Sequence, residues 1–168
     1  MKKLEETDAS VERDVAGNLW ATIPGASDKI VVVGSHIDAV PHGGWLDGCL
    51  GLLAAVEVLR AHKGETPAVT LKLIDWADEE GARFGRSLLG SSAAAGTLDP
   101  DAVRHLKDNQ GIALPDALAE NDIDLDRMGE AELPEIAAYL ELHIEQGPRL
   151  EEAGKPCLLY TSPSPRDS

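Results

Sequence analysis

Short apolar runs alternate with stretches of helical spacing along the chain, and that alternation predicts a layered sheet. Residues 11–23 read as two short strands around the turn triplet Ala16-Gly17-Asn18, closed by Pro24-Gly25. Ile30-Val31-Val32-Val33-Gly34 is a β-branched run of the kind that forms a strand buried on both faces. A loop containing glycine and proline follows over 35–48. Residues 50–62 carry Leu53, Val56 and Leu59 at helical spacing and end in charge and Gly64, which predicts a helix. A second buried strand is expected over 69–77 and a loop with several glycines over 81–90. The acidic region 98–128 holds short helical stretches at 101–107 and 114–120, and 136–144 is the third strand, halted by Gly147-Pro148. Strand, helix, strand, helices, strand predicts an α/β fold.

Composition narrows the function more than the fold. The 168 residues are 43% hydrophobic, enough for a core, and no apolar run is long enough to span a bilayer. Thirty acidic residues against fifteen basic ones give a formal charge of −15, which excludes a phosphate-binding groove and hence a nucleic-acid partner. The same acidity also serves plain solubility. Two cysteines, Cys49 and Cys157, make no disulfide framework. No signal peptide is read at the N-terminus, so a cytoplasmic location is the default expectation.

The chemistry-bearing residues follow the C-terminal ends of the three strands, where open α/β sheets place their ligands. Gly34-Ser35-His36-Ile37-Asp38 and Gly43-Gly44-Trp45-Leu46-Asp47-Gly48 follow the first, Asp78-Glu79-Glu80-Gly81 the second, and Glu141-Leu142-His143-Ile144-Glu145-Gln146-Gly147-Pro148 the third. His36 offers an imidazole suited to zinc, manganese or cobalt. Asp38, two residues on, points the same way on an extended backbone and can accept the other ring N–H. Asp47 lies in a Gly-bracketed loop that turns its carboxylate back toward the strand ends, and its two oxygens can bridge two cations. Glu79 and Glu80 are adjacent and diverge, so one can bind metal while the other takes a proton. His143 completes the mixed N/O set. Each feature alone has a bland reading: an ordinary polar histidine, a solvated Glu-Glu pair, an Asp-Gly turn. Their joint placement on three strand ends favours a site. Cys49 reads as a small buried filler, and Trp45 as a pocket wall.

Gly34 to Gly48, Asp78-Glu-Glu-Gly-Ala-Arg-Phe84 and Leu142-His-Ile-Glu-Gln-Gly-Pro148 resemble the three signatures of the N-carbamoyl-L-amino-acid hydrolases, shared with allantoate amidohydrolases and β-ureidopropionases. The resemblance covers about residues 11–156, and His143, where related exopeptidases have an acidic ligand, points to the amidase branch. It implies part of a zinc-aminopeptidase-like catalytic domain with a mostly parallel central sheet flanked by helices. It implies two divalent ions, zinc with manganese, cobalt or nickel as alternatives. His36, Asp47 and His143 would hold one ion; Asp47 would bridge to a second that Glu80 also binds. Glu79 would be the general base and Asp38 a catalytic partner of His36, with Gln146 and Arg83 near a small-molecule substrate. The implied reaction is hydrolysis of a carbamoyl or ureido C–N bond by metal-activated water. A same-fold aminopeptidase or dipeptidase, and a non-catalytic metal-binding domain, remain the alternatives.

The last twelve residues break from this pattern. Cys157 to Asp167 back-translates to a sequence resembling a transposase-based sequencing adapter read in frame, as in a metagenomic library, so 157–168 is expected to be a non-native tail on a catalytic-domain fragment, 1–156. The family's last ligand histidine and its lid domain, which carries the substrate-carboxylate arginine and the homodimer contact, would then be missing, and the fragment alone is expected to turn over little substrate.

Overall fold

The β-branched run at 30–34 becomes the middle of a six-stranded sheet. A computed structural model describes residues 2–155 together with the backbone of 158–161. In chain order the elements are β1 (Ser10–Arg13), β2 (Leu19–Ile23), β3 (Ile30–Ser35), α1 (Cys49–Ala61), β4 (Thr70–Asp75), α2 (Leu89–Ala94), α3 (Pro100–Val103), α4 (Leu114–Ala119), β5 (Ile136–His143), α5 (Arg149–Glu152) and β6 (Leu158–Thr161). The sheet order is β1-β2-β4-β3-β5-β6. The three central strands are parallel, β3 pairing with β4 on one side and β5 on the other, whereas β1, β2 and β6 add antiparallel edges. Parallel pairing aligns the C-terminal ends of β3, β4 and β5 on one edge of the sheet, and this is what gathers the site.

Period-2 alternation sorts the strands onto two faces. Ala21, Ile23, Leu71 and Leu73, with Val31 and Val33, pack against Leu52, Ala55, Val56 and Leu59 of α1. Trp20, Val32 and Ile74 form the opposite face, where Trp76 meets Trp20 edge to face at 6.0 Å. A further cluster, built from Leu89, Ala93, Val103, Leu114, Leu125 and Met128, joins α2, α3 and α4 and packs on Ala16 and Trp76. Helices thus flank a sheet that is parallel at its centre.

The structure adds to or shifts the sequence pattern at three places. The buried stripe of α1 runs through Leu52, Ala55, Val56 and Leu59, and Leu53 is 52% exposed, because the i, i+3, i+4, i+7 set that meets the sheet starts one residue earlier. The helix α2 was not expected; its Ser-Ala-rich stretch carries little apolar periodicity. And Leu158–Thr161, inside the segment read as a non-native tail, pairs antiparallel with β5 as an edge strand, since Leu-Leu-Tyr-Thr is β-forming text within its Ser/Pro-rich surroundings. The rest of that segment lies outside the described residues. Among the described residues no helix is long and apolar enough to cross a membrane.

Candidate metal centre

β3 ends at Ser35, and His36 follows it into a nearly closed environment, 4% exposed. Its Nδ1 lies 3.0 Å from the backbone carbonyl of Asp38 and 3.4 Å from Asp38 Oδ1, which leaves Nε2 facing the cleft, 3.5 Å from Glu79 Oε2. Gly48 makes room for the ring: it has φ +65°, and a Cβ there would lie 2.5 Å from the imidazole. The sequence expectation for Asp38 needs one refinement. The backbone carbonyl of Asp38 is the nearer partner of the ring, while its carboxylate accepts the backbone N–H groups of Glu79 (3.3 Å) and Glu80 (2.9 Å). Asp38 therefore couples the β3 end to the β4 end.

Asp47 is 5% exposed. Its Oδ2 accepts a hydrogen bond from Gln146 Nε2, and its Oδ1 stands 3.0 Å from His143 Nε2 yet accepts no well-aligned hydrogen bond, a buried carboxylate oxygen left over. His143 Nδ1 is 2.6 Å from the Ile144 carbonyl, which fixes the proton on that nitrogen and turns Nε2 toward Asp47. A cleft of about 310 Å³ is lined by His36, Asp47, Glu79, Glu80, Ser87, Leu88, His143 and Gln146. Of the residues proposed from sequence as ligands, catalytic groups or substrate neighbours, Asp38, behind His36, and Arg83 are not in this lining. Arg83 pairs with Asp108 at 2.9 Å and lies over the Phe84 ring. Trp45 is 75% exposed and does not line the cleft either. Cys49 is half-buried, its Sγ 3.5 Å from the Ile37 carbonyl. Ser87 and Leu88 were not foreseen, because nothing local marks them; they arrive with the far limb of the loop after β4.

The electrostatics follow from crowding. Burial pulls the His36 imidazolium down, but the hydrogen bond with Asp38 and the charge of Glu79 outweigh it, and the ring titrates at about 9. Asp38 is held below the usual carboxylate range: burial opposes this, but His36 and the Glu80 N–H prevail. Glu79 is pushed up by burial and by Glu80, Asp38 and Asp47, against the pull of His36. So Glu79 rises although its nearest partner attracts it, because burial is the largest influence and the neighbouring carboxylates add to it. Asp75 and Asp78 are each raised to about 6, chiefly by burial.

Asp75 yields a testable consequence. Its Oδ1 is buried without a hydrogen-bond partner. A carboxyl whose folded pKa exceeds its ordinary value binds its proton more tightly when folded, so it costs stability increasingly as pH rises through about 6. Asp75→Asn is expected to stabilise the chain at pH 8 by roughly 1–2 kcal/mol, after allowance for partial exposure, and to have no benefit below about pH 4. Urea melts across that range test it; equal gains at both ends would contradict it.

The donor set fits divalent cations. Candidate ligand atoms of His36, Asp47 and His143 lie within 4.8 Å of one another, as do those of His36, Glu79 and Glu80. Mixed imidazole and carboxylate donors suit zinc and its neighbours, and Asp47 Oδ1, buried beside His143 Nε2 without a hydrogen bond, is an oxygen that a cation would take up. His36 is common to both groups, whereas the resemblance implied Asp47 as the shared ligand. One imidazole nitrogen binds one ion, so a carboxylate remains the better bridge.

The model of the peptidase family M20/M25/M40 matches residues 32–158, across all three strand ends. The chain belongs to this family. It is 42% identical to an N-carbamoyl-L-amino acid amidohydrolase of Geobacillus stearothermophilus over 94% of the chain and 40% of that relative. An allantoate amidohydrolase of Bacillus subtilis is 36% identical, over 89% and 37%. Among solved structures, a hydantoinase/carbamoylase family amidase from Burkholderia ambifaria superposes with a TM-score of 0.74 at 35% identity, covering 91% of the chain and 38% of that structure. The chain thus spans about two fifths of the length of the curated relatives it matches.

Proposed function

We propose that this chain carries the greater part of a two-cation centre in a hydrolase of carbamoyl or ureido C–N bonds, acting on N-carbamoyl-L-amino acids or allantoate-like substrates. The observation that carries the reading is the convergence of His36, Asp47, Glu79, Glu80 and His143 on one cleft from three parallel strand ends. Two relatives that match 94% and 89% of the chain are named as amidohydrolases. His36, Asp47 and His143 would hold one cation, with zinc the first choice, and Glu80 together with Asp47 would hold the other. When bound, such cations supply Lewis acidity, making water more acidic and polarising a carbonyl.

The chain's own residues do the rest. Asp38 fixes His36 and, through two backbone N–H groups, the stance of Glu79 and Glu80. Glu79 faces the cleft with its affinity for a proton raised, which suits a group that accepts a proton from water and returns it to a leaving nitrogen. Gln146 braces Asp47. In the whole protein the active form would be a homodimer joined through a domain beyond the part seen here.

The test is a chimera in which this chain replaces its counterpart in the Geobacillus relative. It is expected to release ammonia from an N-carbamoyl-L-amino acid, and Glu79→Gln to lower that rate by about 10³-fold. A folded, zinc-loaded chimera that instead frees amino groups from dipeptides would establish the peptidase reading. One that does neither would leave a binding domain.

A further inference from the structure

Glu79 and Glu80 sit on a loop, and loops hold a side chain only as well as their anchors. Residues 77–90 leave β4 and return to α2 as a closed excursion: Gly90 N–H donates to the Ala77 carbonyl (2.9 Å), Leu89 N–H to Asp78 (3.2 Å) and Leu88 N–H to Glu79 (2.7 Å). Four of the eight residues lining the cleft, Glu79, Glu80, Ser87 and Leu88, ride on it. Its neck is gripped from outside by a residue of the β1–β2 turn. Asn18 is fully buried. Its Oδ1 accepts the Ala77 N–H at 3.0 Å, and its Nδ2 donates to the Gly90 carbonyl at 3.1 Å and to Asp14 Oδ2 at 2.9 Å.

Asp14 in turn accepts from the backbone of Ala16 and Asn18 and from Trp20 Nε1, so the amide cannot rotate without breaking a satisfied network. Gly90 is shaped to this grip, since a Cβ there would lie 2.1 Å from Asn18 Oδ1. An amide fits here because it both accepts from one limb of the neck and donates to the other, which no carboxylate or hydroxyl of the same reach can do with the same geometry.

We propose that Asn18 is a positioning residue for the acidic pair: its side-chain amide clamps both limbs of the 77–90 neck and thereby sets Glu79 and Glu80 against His36. The ligand triplet of His36, Asp47 and His143 comes from other elements and does not depend on this clamp. The metal arm of the test rests on the proposed function; the exchange arm does not.

Hydrogen exchange on the unmodified 168-residue chain decides the clamp itself. The amides of Ala77, Leu88 and Gly90 are expected to open together, with protection equal within about threefold. Fast exchange at Leu88 and Gly90 beside a protected Ala77 would overturn the proposal. In Asn18→Ala these amides are expected to exchange at least about tenfold faster, while those of β3 and β5 change less; uniform acceleration would mark a merely structural residue. Zinc titration supplies the second arm. Asn18→Ala is expected to weaken zinc binding by about tenfold, as Glu80→Ala does, and the double variant to be no weaker than either alone. Losses that multiply would count against the clamp. Absence of zinc binding by the unmodified chain would instead defeat the metal reading, leaving the exchange result to stand or fall separately.

Discussion

Asp47→Ala is expected to lower the chain's zinc affinity by at least about a hundredfold, the largest loss of any single change. Asp47 is buried, touches His143 with Oδ1 and Gln146 with Oδ2, and keeps Oδ1 without a hydrogen bond. Burying such an oxygen is costly unless a cation compensates it. Two opposite consequences follow. With chelator present, the alanine variant should melt at or slightly above the temperature of the parent, since it removes a desolvated charge from a cluster already rich in carboxylates. With zinc at a hundred times the parent's Kd, the parent should gain about 2.7 kcal/mol and the variant nearly nothing. Paired thermal melts read both. A variant destabilised equally with and without zinc would make Asp47 an ordinary structural residue and remove the centre's proposed bridge.

The parts of this site visible in the sequence are those that local geometry dictates. His36 and Asp38 are two apart just past β3, Asp47 precedes a glycine that has to be a glycine, and Glu79-Glu80 lie within a few residues of the end of β4. Parallel pairing of β3, β4 and β5 then brings them to one edge, which the β-branched runs and the intervening helix already implied. What could not be read is held by long-range partners. Asn18 presents itself as a turn residue because the N–H that donates to it and the carbonyl that accepts from it are 59 and 72 positions away. The helix α2 escapes notice because Leu89, Ala93 and Ala94 are buried by Leu125 and Met128, not by a periodic stripe of large residues. Leu53 misleads for the complementary reason: spacing alone cannot say which of two overlapping helical stripes meets the sheet. Arg83 follows the acidic motif closely in sequence but finds Asp108, and ends outside the cleft lining.

Zinc affinity is expected to fall as pH drops below about 9, approaching tenfold per unit, because a proton and a cation compete for the same imidazole. His36 titrates at about 9 in the folded chain against 6.5 ordinarily, burial being outweighed by Asp38 and Glu79. For a histidine raised in this way, the stabilising contribution is complete below pH 6.5 and disappears as pH rises through 9, up to about 3 kcal/mol. Glu79, Asp75 and Asp78, all raised, act in the same direction at lower pH, each costing more once ionised. Chelated protein should therefore weaken from pH 6.5 to 9.5. Zinc reverses the trend, since Nε2 can serve as a ligand only after its proton leaves, and the stabilisation that zinc adds must grow over the same interval. Urea melts with chelator and with saturating zinc, at half-unit steps, should give two curves that diverge toward high pH. His36→Ala should flatten the chelated curve above pH 7 and abolish most of the zinc gain. If zinc stabilises the parent equally at pH 6.5 and 9, the imidazole is not the group that proton and cation contest, and His36 is not a ligand.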